Sequence, residues 1–288
     1  MFFLQTTVAG AKESYLIQKQ SDVTIVYPAT IQAVMPELVE AFNQAKRNLR
    51  NIFSWSISRR VHLIIIKQRN EFLQIAEHPL TVAFAEPSRH RITINYQDVV
   101  KNPFSLETTL QHELCHILIG EHLDKHIPRW LNEGIAQWAS EGITEIIRPE
   151  KNILQKAAFA GNLIPFYRLE YSFPMESNAF VLAYEQSQSF VSFLIQQYGK
   201  NAFLQTLQLM KSGRALHASI RIIYGKSLNH LEHDWVISQT RFFAWILFVI
   251  NNLYTFIFMG LSLISIIGFI RMKRKKWQYP DDWDDDMF

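Results

Sequence analysis

His112 and His116 in "HELCH" stand four positions apart, with Glu113 between them. On a helix, residues i and i+4 share a face with Cβ atoms about 5–6 Å apart. Two imidazoles placed so could converge on one zinc at about 2 Å per Zn–N bond. Glu113, one position on from His112, is turned by about 100°, which directs its carboxylate at a water beside the metal rather than at the metal. A water polarised by zinc and deprotonated by a carboxylate is a strong nucleophile at neutral pH. The same five letters also fit a packed helix that carries two incidental histidines.

Zinc sites that do chemistry take three protein ligands and leave one position open. Two residues compete for the third place. His122 has the spacing of the metzincin pattern H-E-x-x-H-x-x-G-x-x-H, but that pattern turns at a glycine where this chain has Ile119, and Gly120 comes one place late. A β-branched residue is a poor substitute for a turn glycine. Under that alternative, the "SFPM" around Met175 would be a methionine turn. The other candidate is Glu133 in "HIPRWLNEGIAQW", from His126 to Trp138. Pro128 suits the first turn of a helix there, and Trp130, Leu131, Ile135 and Ala136 give that helix an apolar face, so Glu133 could point at the metal. Asn132 and Gly134 flank it, and a small residue there lets backbone or substrate come close. His122 and His126 then fall in a loop or behind the ligands, and Cys115, on another helix face, in the packing.

"HELCH" followed by "RWLNEGIAQW" resembles the gluzincin metallopeptidases, whose signature is H-E-x-x-H, a spacer, then W-L-N-E-G-x-A; here sixteen residues separate His116 from Glu133. The resemblance implies His112, His116 and Glu133 as zinc ligands and Glu113 as general base and proton shuttle. "AYEQSQSFVSFLIQQYG", from Ala183 to Gly199, looks like the downstream helix of the peptidase MA-like domain, whose tyrosine donates to the oxyanion. This maps onto Tyr184, which could equally be an aromatic residue on a packed helix face. The likeness extends loosely over residues 20 to 240 and implies hydrolysis of a peptide or protein substrate. There is no G-x-M-E-N stretch of the kind that holds a substrate's free amine, so an endopeptidase is expected rather than an aminopeptidase.

These residues need a frame. "DVTIVYP", "VHLIIIK", "TVAFAEP" and "RITINY" are short, β-branched and bounded by Pro, Asn or charges, which predicts strands. Val34, Leu38, Phe42, Ala45, Leu49 and Ile52 recur every three or four positions, predicting an amphipathic helix from near Ile31. Leu106, Leu110, Leu114, Ile117 and Leu118 do the same for the "HELCH" segment. Helix starts are expected at Pro103, Pro128 and Pro149, with further helices over 178–198, 201–212, 217–224 and 227–240. The expected fold is α+β and zincin-like. Residues 1–105 form a small mixed sheet with helices, and 106–240 a helical catalytic subdomain. "RITINY" could be an edge strand to which an extended peptide adds, or an ordinary edge strand.

From Arg241 to Ile270 the chain is almost wholly apolar, interrupted by Asn251 and Asn252. This predicts a transmembrane helix over 242–270 in contact with the lipid bilayer. Arg271, Lys273, Arg274, Lys275 and Lys276 follow at once, so the tail 271–288, which ends in "DDWDDDMF", is expected in the cytoplasm and the catalytic domain outside it. "MFFLQTTVAGA" has no basic n-region and too short an apolar stretch for a signal peptide. Either a signal is missing from this version of the sequence, or the C-terminal span directs insertion, or the orientation is reversed. A net charge of +3 with otherwise scattered lysines and arginines gives no support to a nucleic-acid partner, and the single cysteine excludes an intrachain disulfide. A catalytically silent zincin fold, serving as a membrane-bound binding or assembly protein, is the alternative to an enzyme.

Overall fold

The structure is a computed structural model that describes residues 14–101, 104–123, 127–142, 146–147 and 152–278. The expectations placed on Met1 to Ala11, Pro103, His126, Pro149 and the acidic end of the tail lie outside the described residues.

Strands β1 (Tyr15–Lys19), β2 (Val23–Pro28), β3 (Val61–Ile66), β4 (Ala83–Glu86) and β5 (Arg91–Asn95) form one sheet, in the order β1-β2-β3-β5-β4. β2, β3 and β5 run parallel, while β1 and β4 pair antiparallel at the two edges. The helices are α1 (Met35–Phe53), α2 (Arg69–Leu73), α3 (Tyr96–Val99), α4 (Leu106–His122), α5 (Arg129–Ala139), α6 (Ile153–Ala160), α7 (Ser177–Tyr198), α8 (Lys200–Lys211), α9 (Leu216–Tyr224), α10 (Leu228–Asn251) and α11 (Leu253–Gln278). The chain divides into a compact unit through Val236 and a second from Ile237 onward. The first is the expected α+β arrangement, with a small sheet followed by helices.

Parallel strands covered on both faces read as nearly continuous apolar runs, and β2, β3 and β5 are mostly buried along their length. That burial corrects one expectation. The "RITINY" strand is not an edge: β5 lies between β3 and β4, with Ile92, Thr93, Ile94 and Asn95 all buried. The edge is β4, which turns into β5 through Pro87–Arg89 and His90, a residue at φ 49. β4 is short and half-exposed, as edges usually are.

The expected period along α1 holds, since Leu38, Phe42, Ala45 and Leu49 are buried while Val34 and Ile52 are partly so. α1 packs on α4, which in turn packs on α5 and on β4. α4 starts at Ser105, whose hydroxyl accepts from the Thr108 N–H at 3.2 Å, a side-chain cap of the usual kind. The expected apolar stripe is present, but the polar face is covered too, and every residue from Thr109 to Ile119 is buried. The two histidines and Glu113 therefore lie inside the domain.

Two glycines set how closely these helices approach. A Cβ on Gly134 of α5 would stand 2.5 Å from the Ser187 carbonyl oxygen and 2.6 Å from Val191 Cγ2, both on α7. A Cβ on Gly120 would stand 2.5 Å from Pro87 Cβ, just past β4. Gly120 is thus a helical residue that admits the end of the edge strand, and not a turn glycine. Gly134→Ala is expected to lower stability by about 1–3 kcal/mol, the usual cost of overpacking, despite the gain of about 1 kcal/mol in helix propensity. Urea unfolding followed by circular dichroism measures this, and an unchanged midpoint would show that α5 and α7 can part freely.

In the second unit the apolar run is not one helix of 242–270. It divides at Asn252 into α10 and α11, and there the Asn252 side-chain amide joins its own backbone N–H on the Phe248 carbonyl, at 2.8 and 3.1 Å. Among the described residues, the helix long and apolar enough to cross a membrane is Leu253–Arg274, with a mean hydropathy of 2.2.

Candidate active site

α4 and α5 bring His112, His116 and Glu133 together, so that one ligand atom from each lies within 4.8 Å of the others, all three residues buried. The two Nε2 atoms are 3.0 Å apart. Glu133 Oε2 lies 3.4 Å from His116 Nε2 and 3.7 Å from His112 Nε2, and it is buried without a well-formed hydrogen bond among the described residues. A buried carboxylate oxygen is costly unless something positive meets it. Two nitrogens and one carboxylate oxygen converging in this way fit the ligand set of a zinc ion with one position left open.

The electrostatics of the three residues follow from the same burial. Burial works against a charged His116, yet the facing Glu133 carboxylate more than offsets it and holds the imidazole up at about 9. Burial pushes His112 down. Burial would also raise Glu133, but the His116 charge and the two imidazoles facing Oε2 hold its carboxyl far below the usual range. His116 Nδ1 lies 3.1 Å from Asn132 Oδ1, so that amide fixes the ring and leaves Nε2 facing His112 and Glu133.

Glu113, His116, Glu133 and Tyr184 line one cleft of ≈570 Å³, and β4 supplies its other wall through Ala83 to Glu86. Glu113 is 1% exposed. Tyr184, on α7, sits edge-on to Phe173 with ring centroids 5.0 Å apart. All five expected residues thus share one region of the domain, and four of them face the cleft.

The competing histidine is elsewhere. Because α4 continues through Gly120, His122 is six residues past His116 and turned by about 240° around the helix axis. Its Nε2 lies 2.9 Å from the Ser56 carbonyl, and its ring packs on Trp55 at 5.2 Å. Met175 is 68% exposed and makes no floor beneath the histidines. Glu121 beside His122 belongs to the same anchor: burial would raise its carboxyl, but the N–H groups of Ser58 and Arg59 hold it low.

A family model of the peptidase MA superfamily matches residues 76–240, more than half of this 288-residue chain. The chain belongs to the peptidase MA superfamily. The peptidase MA match contains the edge strand β4, the helices α4 and α5 that carry the His–His–Glu group, and Tyr184. Among solved structures the chain is similar to Legionella pneumophila aminopeptidase A in complex with aspartic acid, at 15% identity and a TM-score of 0.44, covering 82% of this chain and 27% of that one. The chain therefore spans about a quarter of that protein's length. No curated protein matches.

The structure adds to this peptidase MA site one residue that the sequence reading did not single out. Arg129, at the start of α5, has Nε 3.8 Å from Glu133 Oε1, Nη2 3.3 Å from Glu77 Oε2, and its guanidinium carbon 5.0 Å over the ring of Phe173, which Tyr184 meets edge-on. Its place four residues before Glu133 on a predicted helix was a readable signal. Gly134, read as room for backbone or substrate, faces the backbone of α7. Cys115 is buried in the core as expected, and burial pushes its thiol up.

Proposed function

We propose that this chain is a membrane-anchored, zinc-dependent endopeptidase, in which His112, His116 and Glu133 hold the metal, Glu113 is the general base and Tyr184 the oxyanion donor. The convergence of His112, His116 and Glu133 within 4.8 Å, beside the cleft that Glu113 and Tyr184 line, carries this reading. When bound, zinc supplies Lewis-acid polarisation of the attacking water and the scissile carbonyl. Glu113 takes a proton from that water as its oxygen attacks the carbonyl carbon, and returns the proton to the amine nitrogen as the C–N bond breaks. Tyr184 donates its phenol proton to the oxyanion. An extended peptide pairs antiparallel with the outer edge of β4, which gives backbone hydrogen bonds and little sequence selectivity.

Leu253–Arg274 supports the anchor, and the cations Arg271, Lys273, Arg274, Lys275 and Lys276 support a cytoplasmic tail with the peptidase domain outside. Substrates then lie near the membrane surface.

The test uses the full chain in detergent or vesicles, with metal content and hydrolysis of an unstructured protein measured together. About one zinc per chain is expected, with activity lost to a chelator and restored by zinc, and with N-terminally acetylated peptides cleaved as well as free ones. Full zinc occupancy without hydrolysis would favour a binding or assembly protein, and cleavage confined to free amino termini would overturn the endopeptidase assignment.

A further inference from the structure

His78 is buried, and it stands outside the His–His–Glu group. Both of its ring nitrogens are in use. The Leu80 backbone N–H donates to Nδ1 at 3.1 Å, and Nε2 lies 3.1 Å from the Met175 carbonyl oxygen. A backbone N–H can only donate and a carbonyl can only accept, so Nε2 carries the ring's proton and one neutral tautomer makes both bonds. The ring also stacks face to face on Phe180, with centroids 3.7 Å apart and planes 9° from parallel.

The two bonds reach opposite walls of the cleft, which has β4 on one side and Phe180 and Tyr184 of α7 on the other. Leu80 belongs to the segment that leads into β4, and its neighbours are tied to the sheet side. Arg69 donates to the Thr81 carbonyl at 2.6 Å and to the Pro79 carbonyl, and pairs with Asp98 at 3.0 Å. The Asn95 N–H of β5 donates to the Val82 carbonyl at 2.8 Å. Met175 comes just before Glu176, whose carboxylate accepts from the N–H groups of Asn178 and Ala179 and so caps α7. Phe180 lies in the first turn of that helix, with its ring between His78 and the ring of Tyr184, 5.0 Å away. His78 thus holds the β4 side through Nδ1 and the start of α7 through Nε2 and its ring face.

We propose that His78 is a positioning residue that sets the spacing between β4 and α7, and so places a peptide held along β4 against Phe180 and Tyr184. This role rests on the peptidase reading above, because the spacing bears on a rate only where a substrate lies across both walls. Displacing reacting groups by about 1 Å can cost about 10²-fold in rate. A pin between the walls therefore acts on catalysis without touching substrate or metal. A His78 that only steadies the chain would raise the melting temperature and have no effect on the spacing.

The discriminating experiment uses the zinc-loaded full chain and His78→Phe, which keeps a ring against Phe180 and removes both hydrogen bonds. Spin labels on Ser88→Cys, just past β4, and on Asn178→Cys, in the first turn of α7, report the spacing; both positions are exposed, and Cys115 is buried away from the reagent. The parent is expected to give one narrow distance, and His78→Phe a broadened or displaced one. On chain that a thermal melt shows to be folded, kcat/KM for an unstructured protein should fall by about 10²-fold in His78→Phe at unchanged zinc content. His78→Gln, whose amide can still donate to the Met175 carbonyl, should recover part of both effects. His78→Asn, which reaches only the Leu80 N–H, should not. Equal spacing and equal rates in those two variants would overturn the proposal even if His78→Phe failed to fold. A parental spacing in His78→Phe, or a kcat/KM within about threefold of the parent, would also overturn it and leave the peptidase reading intact. A zinc-loaded parent that hydrolyses no peptide would overturn both.

Discussion

Glu113→Gln is expected to reduce kcat/KM on an unstructured peptide by about 10³-fold or more, within the range that a positioned general base contributes, while leaving one zinc per chain. In free-energy terms that is about 4 kcal/mol of transition-state stabilisation. The substitution keeps the side chain's shape and removes only its ability to take a proton. Glu113 lies outside the His–His–Glu group and lines the cleft beside it, so metal content should not follow activity. Folding should not suffer either: Glu113 is 1% exposed, and a neutral amide is less costly to bury than a carboxylate. The assay needs zinc analysis, a thermal melt and initial rates on the same sample. Activity within tenfold of the parent would remove Glu113 from the mechanism. A parallel loss of zinc would instead make it part of the metal's surroundings.

The local half of this site was legible because its pieces lie on two helices. The i, i+4 spacing of His112 and His116, and the apolar face of the helix carrying Glu133, are properties of short windows, and the structure keeps them. What could not be read depends on distant pairing. "RITINY" has all the marks of a strand, yet whether a strand is an edge is decided by its neighbours. β4 comes before it in sequence and takes the outer position. β1 went unread because an edge strand with only partial burial shows weak alternation. Gly120 was visible, but its reason is Pro87, thirty-three residues earlier, and no spacing rule reports that contact. Arg129 and Asn132 are readable as helix neighbours of Glu133. That they hold Glu133 Oε1 and His116 Nδ1 is visible only once α5 lies against α4. The apolar run after Arg241 showed its two asparagines plainly, and α10 and α11 meet at the second of them, Asn252.

The second large effect separates the two possible third ligands. Glu133→Ala should weaken zinc binding by about 10³-fold or more, beyond the 10–100-fold that changes behind the ligands cause, and hydrolysis should fall with occupancy. His122→Ala should leave zinc in place. Its cost should be confined to folding, at about 1 kcal/mol, because it removes one hydrogen bond to the Ser56 carbonyl and a packing contact with Trp55. The contrast follows from the course of α4. A metzincin-type site needs the chain to turn after the second histidine so that the third can fold back on the metal. Here the helix runs unbroken to His122, and Gly120 serves the contact with Pro87 instead. A histidine on that rotated face cannot share a cation with His112 and His116 unless the last turn of α4 unwinds. Unwinding would release Glu121 from the N–H groups of Ser58 and Arg59. Zinc lost in His122→Ala and kept in Glu133→Ala would mean that this unwinding takes place, and the ligand set would have to be redrawn around the three histidines.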